Sequence, residues 1–157
     1  MVVPEKARLS LKNVLVPVDF SMNSAEALHT AISLAKSLPQ LPEITILHVF
    51  DLPERFRHQH LHHTEIHKLI LEDRQAAMDE FVKKCVPESL RSRLKISIEE
   101  KKAKKTGEEV MAFAKKGNHD LIVIGAKGHS KVALLLLGSV TERVLSLTKE
   151  VPVLIVK

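Results

Sequence analysis

The chain has 157 residues, 45% of them hydrophobic and 27% charged, which is the balance of a soluble globular protein and predicts a single domain over residues 1–157. Cys85 is the single cysteine, and no apolar run forms a signal peptide or approaches the ~20 residues of a membrane span, so we expect a cytoplasmic protein without a membrane partner. The net charge of +5 permits an anionic ligand, but the lack of Trp and Tyr removes the stacking surface of a nucleic-acid binder, so nucleic acid is not an expected partner.

The first third of the chain predicts a strand, a helix and a second strand. Residues 1–12 are expected to form a loosely held N-terminal arm, and Asn13–Val18 is the first strand pattern. Apolar residues then recur at helical spacing over 27–38, with alanines that allow close packing on a sheet. The pattern Glu43–Phe50 is the second strand.

The segment Asp51–His67 is unusual because it holds five of the nine histidines. His63 and His67 share a face if a helix starts that early, and His58, His60 and His62 precede them. A zinc or nickel site is one interpretation. The other is a variable loop that collects such residues, and no cysteine accompanies the cluster, so no metal ligand is assigned.

Three further elements are predicted after this segment. Apolar positions from Ile66 to Cys85 indicate a second helix. Leu94–Glu99 alternates apolar and polar residues, which is typical of a half-exposed edge strand. A third helix is predicted over Thr106–Gly117, and Leu121–Gly125 then reads as a strand buried on both faces.

The last two elements are a helix that opens at Gly138 and Ser139 and a strand over Val151–Val156. Strands that alternate with helices predict a parallel, three-layer α/β sheet with right-handed crossovers. In such sheets a ligand binds beyond the carboxyl ends of the strands, where the strand order reverses.

The loop after the fourth strand has the composition of a phosphate cradle. Gly125, Gly128 and Gly138 allow backbone N–H groups to approach an anion, and Ser139 opens a helix whose N-terminus carries a partial positive charge. Lys127 adds a cation. Neither the P-loop pattern nor the dinucleotide fingerprint occurs in the sequence.

The spacing Gly125-x2-Gly128-x9-Gly138-Ser139 resembles the motif of the universal stress protein family in its ATP-binding branch. Other pieces of the chain are similar to the same family: residues 14–21, Leu-His-Val at 47–49, Thr-Gly-Glu-Glu at 106–109, and the segments 120–125, 135–145 and 151–156. The resemblance implies a Rossmann-like open parallel five-stranded sheet with strand order 3-2-1-4-5 and an ATP site in the reversal crevice.

The resemblance also implies roles for individual residues. Asp19 is expected near the ribose or adenine, and Pro17, Val18 and Val49 against the adenine. Ribose and phosphates would be held by Gly125, Lys127, Gly128, His129, Gly138, Ser139, Val140 and Thr141. The family often has arginine where His129 stands, so contact with phosphate there is expected to depend on pH.

The sequence favours nucleotide binding over catalysis. Asp19 is the obvious acid at the crevice, and no pair of nucleophile and base is evident. We therefore expect a cytoplasmic stress-response module whose state depends on bound ATP or another adenine nucleotide, with Mg²⁺ or Mn²⁺, and with a protein partner that the sequence does not identify. The alternative is a slow ATPase or nucleotide hydrolase on the same fold.

The final strand pattern, Val151–Val156, predicts a homodimer. An apolar edge strand with free N–H and C=O groups invites pairing, and two copies can pair symmetrically. The resemblance implies the same arrangement. In the alternative, the arm of residues 1–12 covers this edge and the protein is a monomer.

Overall fold

The structure is a computed structural model that describes residues 1–4, 10–52, 63–128 and 137–157. The strands are β1 Asn13–Pro17, β2 Glu43–Phe50, β3 Leu94–Glu100, β4 Leu121–Gly125 and β5 Val153–Val156. The helices of the described ranges are α1 Met22–Lys36, α2 His63–Cys85, α3 Glu88–Arg91, α4 Thr106–Lys116 and α5 Ser139–Leu147. None of these helices combines the length and the apolarity that a membrane crossing requires.

The five strands form one sheet in the order β3-β2-β1-β4-β5, and every neighbouring pair is parallel. This confirms the predicted α/β fold and its strand order. From β1 the chain moves outward to β2 and β3, and then crosses back to β4 on the other side of β1. The carboxyl ends of β1 and β4 therefore border the crevice where open α/β sheets bind ligands.

Helices cover both faces of the sheet, because alternate strand residues point to opposite sides. Val14 and Val16 of β1 belong to a core with Leu28 of α1 and Met78 of α2. Leu15, between them, lies in a second core on the other face. That core also contains Val110 and Met111 of α4, Val144 of α5 and Val153 of β5.

Some predicted boundaries are wrong by one or two residues. β1 ends at Pro17, not Val18, and β5 begins at Val153, not Val151. The short helix α3 was not predicted, since four residues are too few to show a period. The predicted edge strand is at the edge, as β3, but Ile96 in it is 41% exposed instead of packed inward.

The first residues of the chain lie against the outer edge of β5. The Val2 N–H donates to the Val153 carbonyl at 2.7 Å, and the Val153 N–H donates to the Val2 carbonyl at 2.9 Å. Met1, Val2 and Val3 nevertheless keep exposed side chains. The arm is thus held by backbone hydrogen bonds at Val153, whereas the sequence predicts a loosely held segment.

Candidate functional site

A cavity of about 260 Å³ opens at the carboxyl ends of β1 and β4. Its lining includes every predicted site residue that falls in the described ranges: Pro17, Val18, Asp19, Val49, Gly125, Lys127, Gly128, Gly138, Ser139, Val140 and Thr141. His129, also predicted, lies outside the described residues. Five lining residues were not predicted, namely Ser24, Leu47, Thr106, Val110 and Ile124.

Packing of α4 against α5 brings Thr106 and Val110 to the cavity. A Cβ atom at Gly107 would lie 2.7 Å from Cβ of Arg143, so only glycine allows this approach. Beside it, the Arg143 guanidinium donates from Nε at 3.1 Å and from Nη2 at 2.5 Å to Oε1 of Glu108. Sequence periodicity shows that Val110 faces inward, but not that this helix end borders the site.

The start of α1 approaches the end of β4 very closely. A Cβ atom at Gly125 would lie 2.7 Å from the backbone oxygen of Asn23. Real Cβ atoms essentially never come so close to another heavy atom, and backbone cannot easily move aside. Gly125 therefore allows α1 to begin directly beside the cavity.

The Asp19 carboxylate is fixed at the mouth of the cavity. Its Oδ1 atom accepts hydrogen bonds from the Ser21 N–H at 3.1 Å and from the Ser21 hydroxyl at 2.5 Å. Its Oδ2 atom lies over Gly128, where a Cβ atom would be 2.3 Å away. Two segments that are more than a hundred residues apart in sequence thus bring a carboxylate against a glycine backbone.

The N-terminus of α5 is anchored across the same loop. The Gly138 N–H donates to the Ala126 carbonyl at 2.7 Å, and the buried Thr141 hydroxyl donates to the Gly125 carbonyl at 2.8 Å. Gly138 is the N-cap residue and has no side chain to satisfy the first-turn N–H groups. The cavity lining at Ser139 and Val140 therefore carries the orphan donors and partial positive charge of a helix start.

The cavity has an apolar wall and a polar rim. The apolar wall consists of Pro17, Val18, Leu47, Val49, Val110, Ile124 and Val140. Among the described lining residues, Asp19 is the one acidic side chain and Lys127 the one basic side chain. This division suits a ligand with one flat apolar part and one anionic part.

His48 lies in β2 beside this wall, and its side chain is buried. Burial lowers the pKa of His48, and the hydrogen bond between Nδ1 and the Val18 carbonyl partly opposes that effect. The polar ring of His48 is therefore satisfied by a backbone group, at 2.9 Å.

The predicted histidine cluster is only partly described. His58, His60 and His62 lie outside the described residues. Nε2 of His67 lies 3.2 Å from Oε2 of Glu100, so this side chain has a carboxylate neighbour on β3. Within the described ranges, no group of three or more His, Cys, Asp or Glu side chains could hold a metal ion.

The sequence profile of the universal stress protein family matches residues 10–157. The chain belongs to this family. It is 34% identical over 152 residues to the universal stress protein MJ0531 of Methanocaldococcus jannaschii, an alignment that covers 93% of this chain and 82% of that protein.

Solved structures of the universal stress protein fold are similar over nearly the whole chain. The hypothetical protein MJ0577 is 26% identical with a TM-score of 0.74, over 94% of this chain and 96% of that one. UspA of Lactobacillus plantarum is 22% identical with a TM-score of 0.72, over 94% and 98%. A universal stress protein in complex with cAMP and one from Archaeoglobus fulgidus in complex with dAMP share the fold, each with a TM-score of 0.57.

Proposed function

We propose that this universal stress protein binds an adenine nucleotide, ATP in the first place, in the cavity between β1, β4 and α5. The observation that carries the proposal is the junction of an apolar wall, a fixed carboxylate and an uncapped helix start within one cavity. Each part matches one part of a nucleotide: base, sugar and phosphates.

The base is assigned to the apolar wall. Pro17, Val18 and Val49 offer aliphatic surface, and a purine placed there removes apolar area from water on both partners. Asp19 stands at the border between this wall and the polar rim. Its carboxylate accepts hydrogen bonds, so it suits the hydroxyl groups of a ribose or an amino group of the base.

The phosphates are assigned to the glycine loop and the start of α5. Gly125, Gly128 and Gly138 keep side chains away from the backbone there, and Ser139 provides a hydroxyl and an N–H group. Val140 and Thr141 complete this first helical turn, Lys127 supplies positive charge, and His129 is proposed as a further phosphate contact on the basis of the family motif alone.

A divalent cation fits this site only together with the nucleotide. Asp19 is the one acidic side chain among the described lining residues, and Mg²⁺ commonly binds through one or two carboxylates plus the phosphates of its substrate. We therefore assign Mg²⁺ or Mn²⁺ to the phosphate groups of bound ATP. The metal neutralises phosphate charge there.

The relatives support adenine as the base. Proteins of this fold have been solved with cAMP and with dAMP, which share adenine, a furanose sugar and one phosphate with each other and with ATP. Those chains are 20–22% identical to this one, so the cavity of this chain must itself fit adenine. We assign it to the ATP-binding branch because the glycine spacing and Asp19 meet at one site.

Binding, and not turnover, is the proposed activity. A nucleotide bound between β4 and α5 can change the surface offered to a partner, which is how a cytoplasmic stress-response module could act. Slow ATP hydrolysis is the second candidate, and it needs a base that positions water. Asp19 is the lining residue that could do so, although its Oδ1 atom is already engaged by Ser21.

Mass spectrometry of the ligand released from heat-denatured protein tests the assignment. We expect an adenine nucleotide in up to equimolar amount. A guanine or pyrimidine nucleotide, or a ligand that is not a nucleotide, would contradict an adenine site.

We also propose a homodimer through the outer edge of β5, with a shorter paired strand than Val151–Val156. Val153 and Ile155 are the residues whose N–H and C=O groups face away from β4, because alternate residues of a parallel strand bond to opposite sides. Val2 occupies the groups of Val153. A symmetric dimer that uses both residues therefore requires the N-terminal arm to dissociate from β5. The unit of this proposed dimer is the single domain of residues 1–157.

A further inference from the structure

The hydrogen-bond ladder between β1 and β2 stops at the cavity. The register pairs Pro17 with Leu47, so Val18 comes opposite His48. The Val18 N–H donates to the Leu47 carbonyl at 2.8 Å, as a parallel ladder requires. The next bond of that pattern would join the Val49 N–H to the Val18 carbonyl. Instead, the Val18 carbonyl faces Nδ1 of the His48 ring at 2.9 Å.

The ring of His48 replaces the backbone donor at the point where the cavity opens. β1 ends at this point, whereas β2 continues to Phe50 in its pairing with β3. Val18 and Val49, the two residues that the missing bond would join, both line the cavity. The side chain of His48 thus takes the place of a backbone donor where two neighbouring strands separate.

His48 also contacts Phe20, the residue that follows Asp19 in the chain. The centre of its ring lies 4.3 Å from the centre of the Phe20 ring, which in turn makes an edge contact with Phe81 at 5.6 Å. Phe20 has a φ of 65°, a left-handed conformation that is unfavourable for a bulky residue and persists only where its surroundings fix it. Asp19 therefore stands between two residues, Val18 and Phe20, that His48 holds.

The hydrogen bond to the Val18 carbonyl determines which nitrogen of the His48 ring carries the proton. A carbonyl oxygen only accepts, so Nδ1 must carry the proton. The residue is 8% exposed, and burial lowers the pKa of the ring below its ordinary value, so the ring is neutral near pH 7. Asp19, Arg74 and the Val18 carbonyl are the charged or polar groups that influence it.

We infer that His48 is a positioning residue of the nucleotide site: its Nδ1–H holds the Val18 carbonyl out of the β1–β2 ladder, which keeps the cavity open and aims Asp19 at the ligand. This inference rests on the proposed function for its ligand. The ladder geometry on which it depends can be tested without any nucleotide.

A matched pair of variants distinguishes the effect of the His48 hydrogen bond from the effect of side-chain packing. Asparagine carries an amide N–H₂ at the position of Nδ1, while leucine has nearly the same shape and no donor. Both variants remove the ring that packs against Phe20. Calorimetric titration with ATP should show a roughly 3- to 10-fold weaker affinity for His48→Leu than for His48→Asn, the difference that one buried hydrogen bond supports.

Amide hydrogen exchange without nucleotide supplies the independent readout. In His48→Leu the Val18 carbonyl can accept from the Val49 N–H, so the Val49 amide should exchange more slowly than in the parent. In His48→Asn its exchange should stay near the parental rate. If His48→Leu does not fold, His48→Met replaces it, because methionine is a flexible apolar side chain that also lacks a donor.

The outcomes are distinct. If the parent protein binds no adenine nucleotide, the proposed function is wrong. In that case, slower exchange of the Val49 amide in the variant without the donor alone would still support the role of His48. Equal affinities and equal Val49 exchange in the matched pair, at whatever thermal stability, would overturn the inference, because packing alone would then account for His48.

Discussion

Gly128→Ala should weaken nucleotide binding more than it weakens the fold. The new Cβ atom would lie 2.3 Å from Oδ2 of Asp19, well inside contact distance. No glycine of the described residues has a positive φ, so the cost is one of space and not of backbone conformation. The flexible partner in this contact is the Asp19 carboxylate, which must rotate away from the loop.

The size of the effect follows from the hydrogen bonds of Asp19. Rotation strains or breaks its bonds with Ser21, but water replaces part of them at this half-buried position, so we expect a net loss of about 1–2 kcal/mol in the free energy of unfolding. That corresponds to a fall in Tm of roughly 2–8 °C. A charged hydrogen bond between Asp19 and the nucleotide is worth about 1.5–3 kcal/mol, so the affinity for ATP should fall about 10- to 150-fold.

Thermal denaturation and calorimetric titration with ATP and Mg²⁺ measure the two effects separately. Gly117→Ala is the matched control: its Cβ atom would lie 2.4 Å from Cε1 of His119, at the amino ends of β1 and β4 and away from the cavity. The control should lose stability but keep its affinity for ATP. If Gly128→Ala binds ATP as tightly as the parent, Asp19 does not contact the nucleotide in the way proposed.

Three further predictions follow from the described contacts. Burial lowers the pKa of His48 and of His119 below the ordinary value of 6.5, so these two side chains bind fewer protons in the folded protein than in the unfolded chain. Tm should therefore fall as the pH drops from about 7.5 to 5, and it should fall less steeply in His48→Asn. Deletion of residues 2–4 should strengthen dimerisation, and Ile155→Lys should abolish it. Light scattering distinguishes one copy from two copies of the 17.6 kDa chain, and truncated protein that stays monomeric at ~100 μM would exclude the β5 dimer. Phosphate release from ATP should be far slower than the ~10 s⁻¹ of a median enzyme, and several turnovers each second that Asp19→Ala abolishes would favour the hydrolase.

Much of the fold could be predicted because its signals are local. The predicted β2 and β4 have the observed bounds, since buried apolar runs between turn residues mark strands clearly. The ends of β1 and β5 were missed for a tertiary reason. The His48 ring ends the β1 ladder, and β5 begins where Val153 pairs with Ile122 of β4, a contact that no local sequence pattern reveals.

The site was predictable where glycines and a charged residue mark it. Gly128 and Asp19 were expected at the cavity, and the structure places both in its lining. Thr106 and Val110 were missed because the approach of α4 depends on the fit of Gly107 against another helix. A glycine near the start of an amphipathic helix is the one sequence signal that could have indicated such close packing.

Calorimetric titration of the nucleotide-free protein with ATP, GTP and CTP, each with Mg²⁺, tests the central claim most directly. A cavity with an apolar wall for adenine and a helix start for phosphate predicts one site per chain, with mid-micromolar or tighter affinity for ATP and clearly weaker binding of the other two. Equal weak heats for all three nucleotides would contradict an adenine site in this cavity.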